Sequence, residues 1–557
     1  MASTSTYLWT LGLLAFLTSL VDDTFAGSKK MACVDVIVAY SAIGKNPKDC
    51  PKEAISGEHL KVCPQGFTCC TAEMEEELTI TSKEQFEDRI YETSRFLRET
   101  LKSRWRKFDD FFKELLEKAE NDLHEMFIRT YGLLYQQNAY VFTELFKDLR
   151  SYYEGEDMDL LDAQNEFFVT LFQKMFQLLN AQYSFDDAYM SCVSEFVDEL
   201  QPFGDVPHKL SLQINRAFIA ARTFVQGLAI GADVAEKVAQ VYPTEECSQA
   251  LMKMSYCPHC KGLTTTKPCN NFCVNVMKGC LASHADLDTE WNNYIEKMLK
   301  LAERLEGPFN IESVIDPIDV KISDAIMNFQ DGSVAVSEKV FGGCGTPQLG
   351  KRSTNEFDFD PSRLHPRGNQ PRPTTAAGTS LDRLVKDIRG KIKLAKRFWS
   401  GLPYTVCNDE NVAAVVANEE ECWNGENQAR YEAEIVGDGL LQQANNPEVE
   451  VDVNKPDMVV RQEIERLKLM SKNLEAAYHG QSVNTIAVVY DVSGSGSGSG
   501  SGEEDGPKKP SIGVIDHINE DVINRPNNPV AGVAPSICMQ ITVLFTSTIL
   551  SLLYLLA

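Results

Sequence analysis

Apolar residues recur at every third or fourth position through most of the chain, which is the period of a helix with one buried face. The longest such stretch predicts a helix that contains Phe86, Ile90, Leu97, Leu101, Phe108, Phe112, Leu115, Ala119, Leu123 and Met126. Ser82 and Gln85 have the spacing of a capping box, which predicts that this helix begins at Ser82. The same period predicts further helices near residues 131–152, 158–181, 186–200, 208–241, 286–305 and 317–341. Because alternation with a period of two is almost absent, the predicted fold class is all-α.

Two more helices are predicted in the C-terminal half, at about residues 381–399 and 459–478. On the first of them one face carries Leu381, Leu384, Val385, Ile388, Ile392, Ala395 and Trp399. The opposite face carries Arg383, Lys386, Arg389, Lys391, Lys393 and Lys396. This pattern favours a packed helix with a solvated basic face, and a membrane-surface or polyanion site is the alternative.

The two ends of the chain indicate secretion and a lipid anchor. Apolar residues 7–21 are followed by the small residues Thr24 and Ala26, so residues 1–26 are predicted to be a removed secretory signal. Residues 528–557 end in an apolar tail without a basic flank, which is typical of a removed GPI-attachment signal. Asn527 is the predicted attachment residue, with Asn524 and Ala531 as alternatives, and a retained tail anchor is the competing interpretation.

Composition divides the chain between these ends into three segments. Residues 27–80 are predicted to be a cysteine-rich segment of loops, residues 81–480 a helical core, and residues 481–527 a disordered stalk. Within the core, Gly, Pro, Asn and Arg dominate residues 342–379, which predicts a mobile loop that proteases can reach.

Charge and cysteine content narrow the function classes. The formal net charge of −26 argues against nucleic acid as a partner, because phosphate binding needs a basic footprint. In a secreted chain, 16 cysteines predict disulfides. Cys538 lies in the tail that is removed, so one of the other cysteines is either unpaired or bonded to a second chain.

Five consecutive Ser-Gly dipeptides precede the acidic run that begins at Glu503. A glycine after each serine leaves the backbone accessible to a xylosyltransferase, and the neighbouring carboxylates attract a basic enzyme surface. The predicted glycosaminoglycan attachment residues are therefore Ser493, Ser495, Ser497, Ser499 and Ser501. The alternative is an unmodified flexible linker.

The sequence Cys257-Pro-His-Cys260 allows three interpretations. It has the form of a thioredoxin-like dithiol, or of a zinc site together with Cys269 and Cys273. In a secreted, cysteine-rich chain we favour structural disulfides over both. The sequence contains no GxSxG, HExxH, P-loop or kinase signature, so we expect neither an enzyme nor a metal site.

Six segments resemble a known family when they are taken in order. They are EAISGEHL at 53–60, CPQGFTCC at 63–70, FVQGL at 224–228, MKGCL at 277–281, CWNG at 422–425 and NNPEVEVDVNKPDM at 445–458. These segments resemble the glypicans, in particular the glypican-1/2/4/6 branch, and the resemblance runs from about residue 33 to residue 484. It implies an elongated, disulfide-stapled helical single domain followed by a stalk that carries glycosaminoglycan.

The resemblance also implies a disulfide scheme. The implied pairs are Cys33–Cys69, Cys63–Cys257, Cys70–Cys260, Cys192–Cys344, Cys247–Cys280, Cys269–Cys422 and Cys273–Cys407. Cys50 is then the extra cysteine, which is either free or intermolecular. Many glypicans are cut by a furin-type convertase in the loop after the central region, but Lys351-Arg352 lacks the arginine that such an enzyme needs four residues before the cut.

A GPI-anchored heparan sulfate proteoglycan on the outside of the cell membrane is the function that the resemblance implies, with some of the protein shed. Its core would be a monomer, its covalent groups would be heparan sulfate and the GPI lipid, and it would need no cofactor. Its partners would be heparin-binding growth factors and morphogens of the Wnt, Hedgehog, FGF and BMP classes, for which it would be a co-receptor. The alternatives are a protein-only secreted binding module with an unglycanated linker, and a secreted thiol oxidoreductase that uses Cys257 and Cys260.

Overall fold

The computed structural model describes residues 32–349, 380–416 and 420–482, and these residues are mostly helical. The first half contains α1 (Val34–Ala42), α2 (Ala72–Tyr131), α3 (Leu133–Asn138), α4 (Tyr140–Glu154), α5 (Leu160–Leu179), α6 (Asp187–Glu195), α7 (Val197–Leu200) and α8 (Val206–Val238). The second half contains α9 (Glu245–Ser255), α10 (Cys257–Cys260), α11 (Asn270–Cys280), α12 (Ala282–Leu305), α13 (Ile311–Ile315), α14 (Ile318–Cys344), α15 (Leu381–Lys393), α16 (Phe398–Cys407), α17 (Leu440–Gln443) and α18 (Met458–Tyr478). The predicted all-α class is confirmed.

Helix α2 is the longest element, with 60 residues and a length of about 90 Å. Its N-cap is Thr71, whose side chain accepts a hydrogen bond from the backbone N–H of Met74 at 3.2 Å. The predicted start at Ser82 is therefore wrong. Ser82 lies one residue into the fourth turn of the helix, where its Oγ donates to the backbone oxygen of Thr79 instead of capping.

Helix α8 lies at the centre of the core and packs against α2, α12 and α18. It is long and apolar enough to cross a membrane, but 83% of its most apolar stretch is buried inside the protein. Helix α12 comes close to α8 at Gly227, which has no side chain. There the Tyr294 hydroxyl of α12 donates to the backbone oxygen of Gly227 at 2.9 Å. Its apolar composition is accordingly that of a core helix.

The N-terminal cysteine-rich segment contains more regular structure than the predicted loops. It includes α1 and the first residues of α2, together with the antiparallel strands β1 (Ile55–Ser56) and β2 (Phe67–Thr68). The short strands pair Ile55 with Thr68. The helical core thus begins at Ala72, inside the range 27–80 that was predicted to be loop.

The single helix predicted at residues 381–399 is in fact two helices. Between α15 and α16 the chain breaks at Arg397, which adopts a left-handed conformation with φ of 58°. Two side chains of α12 hold the break in place. Trp291 Nε1 donates to the backbone oxygen of Ala395 at 2.8 Å, and Asn292 Oδ1 accepts from the backbone N–H of Arg397 at 2.8 Å. These contacts come from another part of the chain, so the local sequence does not encode the break.

The first residues of the range 342–379, which was predicted to be a mobile loop, belong to regular elements. Residues up to Cys344 belong to α14, and the strand β4 (Gln348–Leu349) pairs with the strand β3 (Tyr183–Ser184). Residues 350–379 lie outside the described residues, as do the predicted signal, the stalk from residue 483 onward and the apolar tail.

Candidate functional site

The residues predicted to carry covalent groups lie outside the part of the chain that the structure describes. They are the attachment serines Ser493, Ser495, Ser497, Ser499 and Ser501 and the anchor residue Asn527. The described residues show instead the body to which these groups would be joined, its disulfide framework and an apolar pocket at the end of the longest helix.

Seven disulfides cross-link the described residues. They join Cys33–Cys69, Cys63–Cys257, Cys70–Cys260, Cys192–Cys344, Cys247–Cys280, Cys269–Cys422 and Cys273–Cys407. These are the pairs that the resemblance implies. The Cys63–Cys257 and Cys70–Cys260 bonds close loops of 194 and 190 residues, and each such bond is expected to add about 2–4 kcal/mol to the stability.

The CPHC sequence forms α10, and its two cysteines are bonded to different partners in the N-terminal segment. Cys257 and Cys260 therefore do not form the mutual dithiol–disulfide couple that a thiol oxidoreductase requires. Cys269 and Cys273 are likewise held in separate disulfides, which leaves neither thiolate for a zinc ion. His259 between the two cysteines of α10 is half-buried, and its partial burial lowers the pKa of its imidazole.

Cys50 is the free cysteine among the described residues, and it is buried. Its Sγ donates to the backbone oxygen of Cys69 at 3.5 Å. Burial raises the pKa of the Cys50 thiol, so the reactive thiolate is disfavoured. A buried, protonated thiol fits the free state better than the bond to a second chain that the sequence also allowed.

Buried polar side chains of α11 hold the irregular C-terminal segment against the core. Asn275 Nδ2 donates to the backbone oxygen of Glu434 at 2.9 Å, and its Oδ1 accepts from the backbone N–H of Val436 at 3.0 Å. Lys278 Nζ donates to the backbone oxygen of Val436 at 2.8 Å and pairs with Asp438 at 2.8 Å. The irregular segment around residues 434–438 is thus held in place because its backbone groups form hydrogen bonds with side chains of α11.

An apolar pocket lies where the C-terminal end of α2 meets α3, α4, α5 and α14. Its lining consists of Phe127, Tyr131, Leu134, Tyr135, Asn138, Val141, Phe142, Leu171, Lys174, Met175, Leu178, Ile326 and Gln330. The aromatic rings pack on one another, with 4.9 Å between the ring centroids of Phe127 and Phe142. The chain changes direction sharply between α2 and α3 at Gly132, whose positive φ of 57° is readily adopted by glycine.

Two of the polar groups that line the pocket, the phenols of Tyr131 and Tyr135, already have hydrogen-bond partners and are uncharged. Tyr135 Oη lies 3.0 Å from His124 Nδ1, and Tyr131 Oη lies 3.2 Å from Ser323 Oγ. Burial raises the pKa of Tyr135 to about 12 and also raises that of Tyr131, so both phenols stay neutral. Gln330 Nε2 is buried and has no hydrogen-bond partner among the described residues. The pocket therefore suits an apolar ligand that brings one hydrogen-bond acceptor.

The pocket has a cavity volume of about 50 Å³. That volume holds about four water molecules, which is too little for a long hydrocarbon chain. Met175 lines it, and an unbranched thioether side chain can change its shape at low cost. Nothing in the sequence signalled this pocket, since its walls come from five helices whose apolar residues look like ordinary core residues.

Comparison with known proteins decides the family. A family model described as Glypican matches residues 13–557. The chain is 41% identical over 470 residues to Glypican-1 of Gallus gallus, with 84% of each chain covered. The chain belongs to the glypican family. These matches confirm the family predicted from the six sequence segments. A glypican is the core protein of a heparan sulfate proteoglycan.

Solved glypican structures share the fold. The crystal structure of a C-terminally truncated glypican-1 has a TM-score of 0.73 and 40% sequence identity, and it covers 81% of this chain and 100% of its own. A second neighbour is the Dally-like protein in complex with O-palmitoleoyl serine. It has a TM-score of 0.62 and 40% identity, and the match covers 82% of this glypican and 100% of that protein.

Proposed function

We propose that this glypican is a GPI-anchored co-receptor that carries heparan sulfate on Ser493, Ser495, Ser497, Ser499 and Ser501. The observation that carries the proposal is the run of five Ser-Gly sites beside acidic residues in a chain that matches the glypican family. The apolar tail without a basic flank supports attachment of the lipid near Asn527. The lipid would then hold the protein at the outer face of the cell membrane.

Heparan sulfate would concentrate basic growth factors and morphogens of the Wnt, Hedgehog, FGF and BMP classes. Such binding is mostly electrostatic, so it weakens steeply as the salt concentration rises. Several polysaccharide chains on one stalk add avidity without any new protein contact. The chain has a formal net charge of −26 before any polysaccharide is added, so long-range attraction also favours basic ligands over acidic ones.

A gel of cell-surface protein tests this proposal. The wild-type chain should migrate as a high-mass smear that heparinase collapses to a band near the core mass, and phospholipase C should release it from cells. Replacement of all five attachment serines by alanine should give the sharp band without heparinase. Ser511→Ala, at a nearby serine that no glycine follows, is the matched control and should keep the smear. A sharp band from the untreated wild type would instead support the unglycanated linker.

The apolar pocket supports a second function, which is binding of an acyl chain. Its apolar lining, its neutral phenols and the unpartnered Gln330 amide fit the hydrocarbon and the ester oxygen of an acylated serine. The Dally-like protein, a structural neighbour, forms a complex with O-palmitoleoyl serine. A cavity of about 50 Å³ is too small for that chain, so binding would require the side chains around Met175 to move.

Calorimetric titration with O-palmitoleoyl serine tests the pocket, with serine as the blank ligand. Leu178→Trp places a large side chain in the half-buried wall of the pocket and should weaken binding by about tenfold or more, which is about 1.4 kcal/mol. Leu161→Trp lies on the same helix at an exposed position and should leave binding unchanged. Equal binding by both variants would place the lipid elsewhere, and no binding by the wild type would remove this function.

A further inference from the structure

The outward face of α15 and the turn after it carry an exposed row of basic side chains in an otherwise acidic protein. We call this row the basic ridge, and it consists of Arg383, Lys386, Lys393, Lys396 and Arg397, all of which are exposed. The segment 381–397 holds seven basic residues against two acidic ones, although the whole chain has a net charge of −26. Such a local density of Lys and Arg is typical of surfaces that bind sulfated polysaccharides.

The ridge is left without counter-charges by the surrounding structure. None of its five residues forms an ion pair with another described residue, whereas the acids on the same helix are already engaged. Asp387 pairs with Arg104 of α2 at 2.8 Å, and Asp382 accepts from Asn310 Nδ2 at 2.9 Å. Arg389 of α15, which is not part of the ridge, pairs with Glu306 at the end of α12 at 3.1 Å. The ridge therefore keeps its full positive charge for an external anion.

A glycine in the middle of the ridge leaves the helix backbone uncovered. Gly390 lies on the same outward stripe as Arg383, Lys386 and Lys393, and a Cβ built on it meets no atom within 4 Å. Glycine inside a helix is less stable than alanine, so neither helix stability nor packing accounts for it here. Its absent side chain allows a ligand to approach the backbone between the flanking lysines, along a stripe about 15 Å long.

The helix that carries the ridge is fixed and has already buried its apolar face. Leu381, Val385, Ile388 and Ile392 are at most 1% exposed. An interfacial helix inserts an apolar face into a membrane, and α15 has no such face to offer. A flat anionic membrane would also meet the acidic remainder of the protein, whereas a linear polyanion can follow the ridge alone. Charge and shape thus favour a polysaccharide over a lipid surface.

We propose that the basic ridge binds heparan sulfate, and specifically a chain borne by the same molecule. The choice of the molecule's own chain rests on the proposed function, which attaches heparan sulfate to the stalk. Tethering makes this encounter intramolecular, so even weak single contacts are occupied at the resulting effective concentration. Part of each chain would lie along the core, and this part would be withheld from growth factors.

The first test uses the protein with all five attachment serines changed to alanine, so that it has no chain of its own. A heparin octasaccharide should bind this protein, and Lys386→Gln with Lys393→Gln should weaken binding by about tenfold and lower the salt slope by about 2. Lys147→Gln with Lys209→Gln, which changes exposed lysines on other helices, is the matched control. Thermal unfolding checks that both variants are folded. Equal affinity of the ridge variant and the wild type would overturn the proposal, and so would binding to phosphatidylserine vesicles without binding to the octasaccharide.

The second test asks whose chain occupies the ridge. Octasaccharide binding should be weaker to the glycanated wild type than to the serine-free protein, and heparinase should restore it. The glycanated ridge variant should show no such competition. If the glycanated wild type binds the octasaccharide as well as the serine-free protein does, its own chain does not occupy the ridge. A gel without any smear would contradict the proposed function instead, and octasaccharide binding by the serine-free protein would still report on the ridge.

Discussion

The Glu75 carboxylate accepts a hydrogen bond from the backbone N–H of Cys63 at 2.8 Å inside the protein. The same carboxylate accepts from the backbone N–H groups of Lys61 at 2.7 Å and Val62 at 2.9 Å. Glu75 belongs to the first turn of α2, so one side chain ties the cysteine-rich segment to the long helix. These three hydrogen bonds use backbone N–H groups as donors, so they link the two parts in addition to the neighbouring disulfides.

Glu75→Ala should lower the free energy of unfolding by about 2–3 kcal/mol, because it leaves three backbone donors without this acceptor, and the N–H of Cys63 among them is buried. Glu75→Gln keeps one acceptor oxygen and should cost less. Chemical denaturation of the oxidised protein measures both. Glu76→Ala, at the adjacent exposed position, is the control and should change stability by less than about 0.5 kcal/mol. An equal effect at both positions would show that the three hydrogen bonds contribute little.

Two glycines in long helices should respond to alanine in opposite directions. A Cβ on Gly231 of α8 would overlap the hydroxyl of Tyr294, so Gly231→Ala should destabilise the protein by about 1–3 kcal/mol. A Cβ on Gly332 of α14 meets nothing within 4 Å, so Gly332→Ala should stabilise it by up to about 1 kcal/mol. Thermal unfolding of the two variants compares them directly. The same sign for both would contradict the close packing of α8 on α12.

Stability should fall as the pH drops below about 6.5, because of buried His284. Burial lowers the pKa of His284 in the folded protein, while the unfolded chain has an ordinary histidine with a pKa near 6.5. Between these two values the unfolded state binds a proton that the folded state does not, so stability is lost as the pH falls. Above them the group is neutral in both states. The loss is at most about 1.4 kcal/mol per pH unit for each such histidine.

His284→Gln keeps a donor for the backbone oxygen of Val238 and removes the titration. Unfolding free energies measured from pH 7.5 to pH 5.5 should therefore fall less steeply in this variant. Some slope will remain, because burial also lowers the pKa of His259. His208→Gln changes an exposed histidine and serves as the control. A variant that keeps the whole wild-type slope would exclude His284 as a cause.

A single cut within residues 350–379 should leave the two parts of the protein joined. Cys269–Cys422 and Cys273–Cys407 cross this stretch, whereas Cys192–Cys344 closes before it. A site-specific protease sequence inserted there should give one band on a non-reducing gel and two bands after reduction. Two bands without reductant would show that neither crossing bond forms in the cell.

The local sequence predicts helices well here because most helical faces are continuous stripes of apolar residues. It fails where distant residues decide, as at Arg397, where Trp291 and Asn292 of another helix set the break. It also fails at Ser82, because a capping pattern inside a helix looks the same as one at its start. The disulfide pairs followed from family resemblance and not from spacing, since the bonded cysteines are up to 194 residues apart.

Some of the candidate sites are visible in the local sequence, and others depend on contacts between distant residues. The Ser-Gly run is a local signal that any reader of the sequence can find. The basic face of α15 was visible too, although its lack of counter-charges was not, because Asp387 is neutralised by Arg104 from a remote helix. No sequence pattern predicts the pocket at Tyr131, because its walls come together only when five helices pack against one another.

Helix α2 sets the distance between these places. Arg104 meets the ridge helix near the middle of α2, and Tyr131 lines the pocket at its end, which separates the two by about 40 Å along the axis. That is about five times the Debye length in physiological salt, so a polysaccharide on the ridge does not alter the potential at the pocket. The two proposed ligands would therefore bind the same core without electrostatic coupling between them.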